Sequence, residues 1–151
     1  MQLHIRTATV QDLRQVKHID EALFKEDAYP MFVLRQFLDV SGHLFKVAVL
    51  NEAVAGYVLG SYNVADTTAW FLSLGVLPEY RGKGIGEALM HTLMNDVKGR
   101  GANAVYLTVH PENASAIKLY GKLGFRTEFT DPDYYLDGSP RLVMRNIIPQ
   151  V

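Results

Sequence analysis

The sequence predicts a mixed α/β fold of order βααβββαβαββ, with helices on both sides of a sheet. Three observations predict it. Seven runs of strand length are apolar or alternate in polarity, and four segments between them repeat their apolar residues at helical spacing. Gly, Pro, Asn or Ser marks most of the junctions.

Gln2 to Ala8 alternates and reads as the first strand. Thr9 followed by Asp12 is an N-cap signal, opening a helix with Leu13, Val16, Ile19, Leu23 and Phe24 on one face. Lys25 to Tyr29 is a loop, and Pro30 suits the first turn of a second helix, which runs to about Val40 and stops at Ser41-Gly42. Leu44 to Leu50 and Val54 to Asn63 read as a hairpin around Asn51-Glu52-Ala53. Thr68 to Val76 is the third strand of that meander and leads into a glycine-rich turn. The long helix after the turn, with Ala88, Leu89, Met90, Leu93, Met94 and Val97, ends near Gly99-Arg100-Gly101, where glycine tolerates a left-handed cap. Ala104 to His110 is a strand and Asn113 to Leu123 a helix closed by Gly124. The last strands run about Phe125 to Phe129 and Arg141 to Ile148.

Composition narrows the function. The 151 residues show no repeat, low-complexity tract or linker and read as a single domain, 1–151. With 15 basic against 16 acidic residues the net charge is −1, so nothing electrostatic points to nucleic acid or an anionic membrane. There is no cysteine, which removes disulfides, thiolate metal sites and a cysteine nucleophile, and no metal is expected. No apolar run is long enough for a bilayer span or a signal peptide, so the chain reads as soluble and cytoplasmic. Its oligomeric state stays open.

The strongest local feature is Arg81-Gly82-Lys83-Gly84-Ile85-Gly86, between an apolar strand and an amphipathic helix. The first helical N–H groups lack intrahelical partners, the helix dipole adds positive potential, and glycine lets a phosphate reach the backbone. Spacing tests the common phosphate motifs. Walker A fails twice, because Gly82-Lys83 precedes Gly84 and Leu77 stands five residues before Gly82. The dinucleotide fingerprint fails at its third position, which is Glu87.

The pattern that fits is Arg/Gln-x-x-Gly-x-Gly, met by Arg81, Gly84 and Gly86. On this turn the sequence resembles the GNAT superfamily, the acyl-CoA-dependent N-acyltransferases. A second segment, Asn113-x-x-Ala116-x-x-x-Tyr120-x-x-x-Gly124-Phe125, resembles the family's second motif, and the element order is also the family's. The resemblance covers essentially the whole chain. It implies a central, mostly antiparallel twisted sheet of about seven strands, acetyl-CoA as co-substrate, and a pyrophosphate held by Arg81, Gly82, Lys83, Gly84, Ile85 and Gly86.

The second motif also has a physical reading. Asn113 and Tyr120 are two helical turns apart and share a face. Asn113 can offer its amide to the amides of pantetheine, or simply cap the helix, or both. Tyr120 carries a phenol able to protonate a departing thiolate, against the alternative of an ordinary half-buried aromatic. Gly75 marks either a packing accommodation or a bulge. By the resemblance a bulge lies in this strand, Leu74 and Val76 offer backbone contacts to pantetheine, and one N–H polarises the thioester carbonyl.

Without cysteine, transfer is expected by direct attack of a neutral amine in a ternary complex. In the protein N-terminal acetyltransferases that this sequence resembles, Glu or His often fills the strand position held here by Thr108, which cannot act as a base. His110, two residues on, is the candidate catalytic base, since an imidazole titrates near neutrality. Glu79 is the other candidate. Two aromatic loops carry the acceptor signal: Phe24, Tyr29 and Pro30 between the first helices, and Tyr134-Tyr135 before Asp137-Gly138. Tyr134 to Met144 is similar to the ribosomal-alanine type of N-terminal acetyltransferase, where such residues grip a peptide's first residues. Packing between strands is the alternative for the tyrosine pair. The acceptor is therefore read as a peptide N-terminus or a small-molecule amine, with a non-catalytic acyl-CoA sensor as the rival.

Overall fold

The structure, a computed structural model, describes residues 2–150. Seven strands form one sheet: β1 (Leu3–Thr7), β2 (Phe45–Leu50), β3 (Ala53–Asn63), β4 (Thr68–Val76), β5 (Ala104–Val109), β6 (Arg126–Asp131) and β7 (Arg141–Ile147). Their spatial order is β1-β2-β3-β4-β5-β7-β6, and only β4 and β5 run parallel. The β2–β3 turn puts Asn51 and Glu52 at φ 51° and 69°, the two-residue hairpin whose twist matches the strands.

Four helices cover the two faces: α1 (Leu13–Phe24), α2 (Met31–Ser41), α3 (Ile85–Gly99) and α4 (Ala114–Lys122). Leu13, Val16 and Ile19 of α1 and Leu34 of α2 pack on Phe45, Val47, Tyr57 and Leu59. Leu89, Leu93 and Val97 of α3 fill the other face against Ala48, Val58, Phe71 and Val105, joined at its edge by Ala116, Ile117 and Tyr120 of α4. Strand alternation explains the division, because neighbouring residues of β3 point to opposite helical layers.

The boundaries differ from the sequence reading in instructive places. A single turn of 3₁₀ helix, Val10–Asp12, precedes α1, with the Thr9 N–H donating to the Asp12 carboxylate at 2.8 Å. Arg6 grips both oxygens of that carboxylate at 2.7 and 2.9 Å, holding Asp12 below the usual carboxylate range. The expected loop after Phe24 contains a 3₁₀ turn, Lys25–Asp27. α2 ends at Ser41-Gly42 as expected, although Gly42 takes no left-handed turn. Its φ is −58° and the chain tightens into a 3₁₀ turn, Gly42–Leu44, so Leu44 lies outside the strand it was expected to open. His110 likewise falls just beyond β5, and Phe125 precedes β6.

Gly75 proves to be a packing accommodation. It stays in register opposite Tyr57, and a Cβ there would stand 2.9 Å from the Tyr57 ring and 3.0 Å from Leu23. The irregularity in β4 lies three residues earlier. Leu59 faces Ser73 and Gly60 faces Phe71, so Leu72 is the extra residue of a bulge.

Candidate active site

The central cleft begins where two strands part. β4 pairs with β5 only from Thr68–Ala104 to Phe71–Leu107. Beyond that level Leu72 to Val76 and Thr108 to Val109 lack each other as partners and line the walls of a cleft of about 1190 Å³. The parting follows the Leu72 bulge, which bends and twists the strand locally. Backbone groups on this side of β4 are thus left for a ligand to pair with.

Past Val76 the cleft meets the glycine turn. Gly82, Gly84 and Gly86 line it together with Arg81, Ile85 and Glu87. Gly82 and Gly84 both sit at φ 76°, a backbone conformation other residues rarely adopt, and nothing lies within 4 Å of where a Cβ would stand. Gly84 is the N-cap of α3 and its carbonyl accepts the Ala88 N–H at 3.0 Å. The N–H groups of Ile85, Gly86 and Glu87 therefore open a fifteen-residue helix without helical acceptors. Lys122 lies 3.1 Å from the Glu87 carboxylate and offsets the one acidic charge in that turn. Open Cβ positions, free N–H groups and the basic Arg81 fit a phosphate group. Lys83 is exposed and lies outside the lining, a charge near the turn but not in it.

The opposite wall comes from β5 and α4. Asn113 caps α4, its Oδ1 accepting from the Ala116 N–H at 3.2 Å and the Ser115 hydroxyl at 3.3 Å. Capping uses only Oδ1, so the amide N–H groups remain available to a ligand. Tyr120 packs edge-on to Phe125 at 6.0 Å between ring centres. Burial pushes its phenol up to about 12. Among the described residues its hydroxyl has no protein partner, yet it is not a buried orphan, so it opens onto the cleft that Tyr120 lines. His110 lines the cleft with Nδ1 accepting the Glu112 N–H at 3.1 Å, so in the neutral ring Nδ1 is the basic nitrogen and Nε2 carries the proton. Glu79, in the 3₁₀ turn Pro78–Tyr80, is exposed and outside the lining.

Aromatic residues close the far end. The Tyr29 hydroxyl reaches the Leu72 carbonyl at 3.4 Å, and Tyr135 shares a hydrogen bond with Thr108 at 2.7 Å. Both loops therefore meet at the level where β4 and β5 part, four residues or about 13 Å along the strand from Val76. Burial, with smaller effects from Tyr135 and Asp20, pushes Tyr29 up to about 12. Arg141 stands over the Tyr135 ring at 5.2 Å, and Asp137 and Phe24 complete this rim. Two expected contributors lie outside the lining. Pro30 N-caps α2, its carbonyl accepting from Val33 and Leu34, and Tyr134 packs edge-on against Tyr135 at 4.9 Å. That pair sits in the loop between β6 and β7, not across two strands.

Sequence reasoning missed four polar residues here. Asp20 and Ser73 line the cleft and are linked through the buried Tyr57, while Arg141 joins the rim. The sequence carries a signal for Asp20: a carboxylate next to the stripe of Leu13, Val16 and Ile19, which the fold buries.

The profile of the Acetyltransferase (GNAT) family matches residues 9–125. An N-alpha-acetyltransferase of Saccharolobus solfataricus is 31% identical over 151 aligned residues, spanning 93% of this chain and 90% of that one. The crystal structure of Ard1 from Thermoplasma volcanium superposes with a TM-score of 0.91 at 26% identity, covering 99% of this chain and all (100%) of that one. The ribosomal-protein-S18-alanine N-acetyltransferase of Escherichia coli shares the fold, with a TM-score of 0.84 at 24% identity over 99% and 96% of the two chains.

Proposed function

The chain belongs to the acetyltransferase (GNAT) family, and we propose that the amine it acetylates is the N-terminus of a protein. Transfer of an acetyl group from acetyl-CoA to an amine is the family's activity and that of this chain. The observation that carries the finer reading is the division of the cleft. A phosphate-ready glycine turn lies beyond Val76, and two tyrosine-bearing loops converge on the level of Leu72 and Thr108. A rim with Tyr29, Tyr135 and Arg141 suits an extended peptide backbone, which brings carbonyl and N–H groups past its terminal amine. The N-alpha-acetyltransferase relative of Saccharolobus solfataricus supports the same acceptor. That acceptor class also favours a cytoplasmic setting, where protein N-termini are made.

In this reading the pyrophosphate rests on the N–H groups opening α3, with Arg81 and Lys83 adding charge. Pantetheine runs along the unpaired edge of β4, pairing with backbone at Leu74 and Val76, and Asn113 donates to it from the other wall. A β4 N–H polarises the thioester carbonyl. The free amine attacks that carbon directly, and the tetrahedral intermediate expels the CoA thiolate as the C–S bond breaks. Tyr120, kept protonated by burial, gives its proton to the sulfur. Thr108 spends its hydroxyl on Tyr135, and His110 receives the amine proton through water at Nδ1, its basic nitrogen, which gives up the Glu112 N–H as it does so.

The test is a panel of free N-terminal peptides, N-terminally blocked peptides and small primary amines, with CoA release as readout. Turnover concentrated in the free N-terminal peptides is the expected result. Turnover with small amines alone would overturn the peptide reading and leave the acetyltransferase intact.

A further inference from the structure

The apolar face of α1 buries one charge. Asp20 is 1% exposed, and both its carboxylate oxygens are engaged. The Tyr29 backbone N–H donates to one at 2.6 Å, and the Tyr57 hydroxyl donates to the other. Tyr57 is fully buried, and burial beside Asp20 raises its phenol well above the ordinary value. Its single proton is committed to Asp20. The Ser73 hydroxyl, 2.6 Å from the phenolic oxygen, must therefore donate to it.

The direction of that chain has a consequence at the cleft. A serine hydroxyl has one proton and two lone pairs. With its proton turned inward, Ser73 shows the cleft only lone pairs, electron-rich because two donors in series end on a carboxylate. Ser73 lies on the stretch of β4 that β5 no longer pairs, directly after the Leu72 bulge, and it lines the cleft together with Asp20 and Tyr29. Leu72 next to it already accepts from the Tyr29 hydroxyl. Tyr57 needs no serine to satisfy its donor, so packing alone does not require a hydroxyl at position 73.

We propose that Ser73 Oγ, oriented by Tyr57 and Asp20, accepts a hydrogen bond from the N–H of the acceptor's primary amine and thereby positions it for attack. The nitrogen keeps its own lone pair for the thioester carbon. As the C–N bond forms, the nitrogen becomes positive and its N–H a stronger donor, so this contact tightens toward the transition state. The buried carboxylate behind it favours the same charge. Ser73 touches the substrate; Tyr57 and Asp20 are positioning residues. The inference rests on acetyl transfer to an amine in this cleft and holds for a peptide or a small amine alike.

The experiment uses the primary amine or peptide that the unmodified enzyme acetylates best. Ser73→Ala should lower kcat/KM for that acceptor about 10- to 100-fold, with the acetyl-CoA Kd unchanged by calorimetry. Ser73→Thr, which keeps a hydroxyl, should recover most of the rate. Tyr57→Phe should slow the unmodified enzyme but add little to Ser73→Ala, because it acts through that hydroxyl. Full kcat/KM in Ser73→Ala overturns the proposal, as does a Thr variant no better than Ala or independent multiplication of the two single effects. If Tyr57→Phe does not fold, by circular dichroism, the Ala and Thr variants decide alone. Acceptor preference is read separately on the unmodified enzyme, so a failure of the peptide reading stays distinct from a failure here.

Discussion

Replacing Tyr120 by Phe removes one oxygen and little else. The ring keeps its edge-on contact with Phe125, and the lost hydroxyl has no protein partner to orphan among the described residues. Stability should therefore shift by less than about 0.5 kcal/mol, the range for changes that leave no cavity and no unpaired group. The rate should respond far more. A positioned general acid contributes about 10²–10⁴ in rate, which is roughly 3–5 kcal/mol of transition-state stabilisation. The acetyl-CoA Kd should stay nearly constant, because the proposed cofactor contacts are the glycine turn, the β4 edge and Asn113. Burial, which pushes the phenol up to about 12, keeps it protonated through the usual assay range. For the unmodified enzyme, loss of this donor should thus not depress kcat below about pH 11. Stopped-time CoA release gives kcat, calorimetry gives Kd, and a thermal melt confirms the fold. Full turnover by a folded Tyr120→Phe variant would refute the assignment and leave the tyrosine a packing residue.

Gly84→Asp places a Cβ and a carboxylate in the open space that a phosphate would fill, at φ 76°. It should abolish acetyl-CoA binding by calorimetry while costing the fold only about 1–2 kcal/mol of backbone strain. Tyr135→Ala removes the hydrogen bond to Thr108 and the ring under Arg141, and should raise the acceptor KM far more than that of acetyl-CoA. Equal effects on both substrates would make Tyr135 a packing residue. Arg6 holds the Asp12 carboxyl below its ordinary range, so this pair contributes stability above the unfolded-state value near 3.9 and loses it as pH falls through the folded one. Asp12→Ala, which also removes the Thr9 cap, should cost about 1–3 kcal/mol in urea unfolding at neutral pH and flatten the acid limb.

The elements that local patterning controls were legible in the chain. β4 runs from Thr68 to Val76 as its apolar run implied, and Gly84, Gly101 and Gly124 hold the positive φ values that their junctions required. What stayed hidden depends on partners distant in sequence. The Leu72 bulge is a mismatch between β3 and β4, and one strand alone carries no record of its register. Whether Gly75 was a bulge or a gap for neighbours turned on Tyr57 and Leu23, which the fold brings to it. The Asp20–Tyr57–Ser73 chain joins α1, β3 and β4, so each residue looked ordinary in its own segment. Thr108 marks a missing base in the sequence; its hydrogen bond to Tyr135, 27 residues on, is what the structure adds.

The account stands most directly on where the acetyl group lands. A peptide carrying both a free N-terminus and an internal lysine, incubated with acetyl-CoA and the enzyme, can be fragmented by mass spectrometry to locate the added acetyl. The account predicts acetyl on the N-terminal nitrogen and an unmodified lysine. Acetyl on the lysine side chain, or an untouched peptide under conditions where a small amine is acetylated, would contradict it.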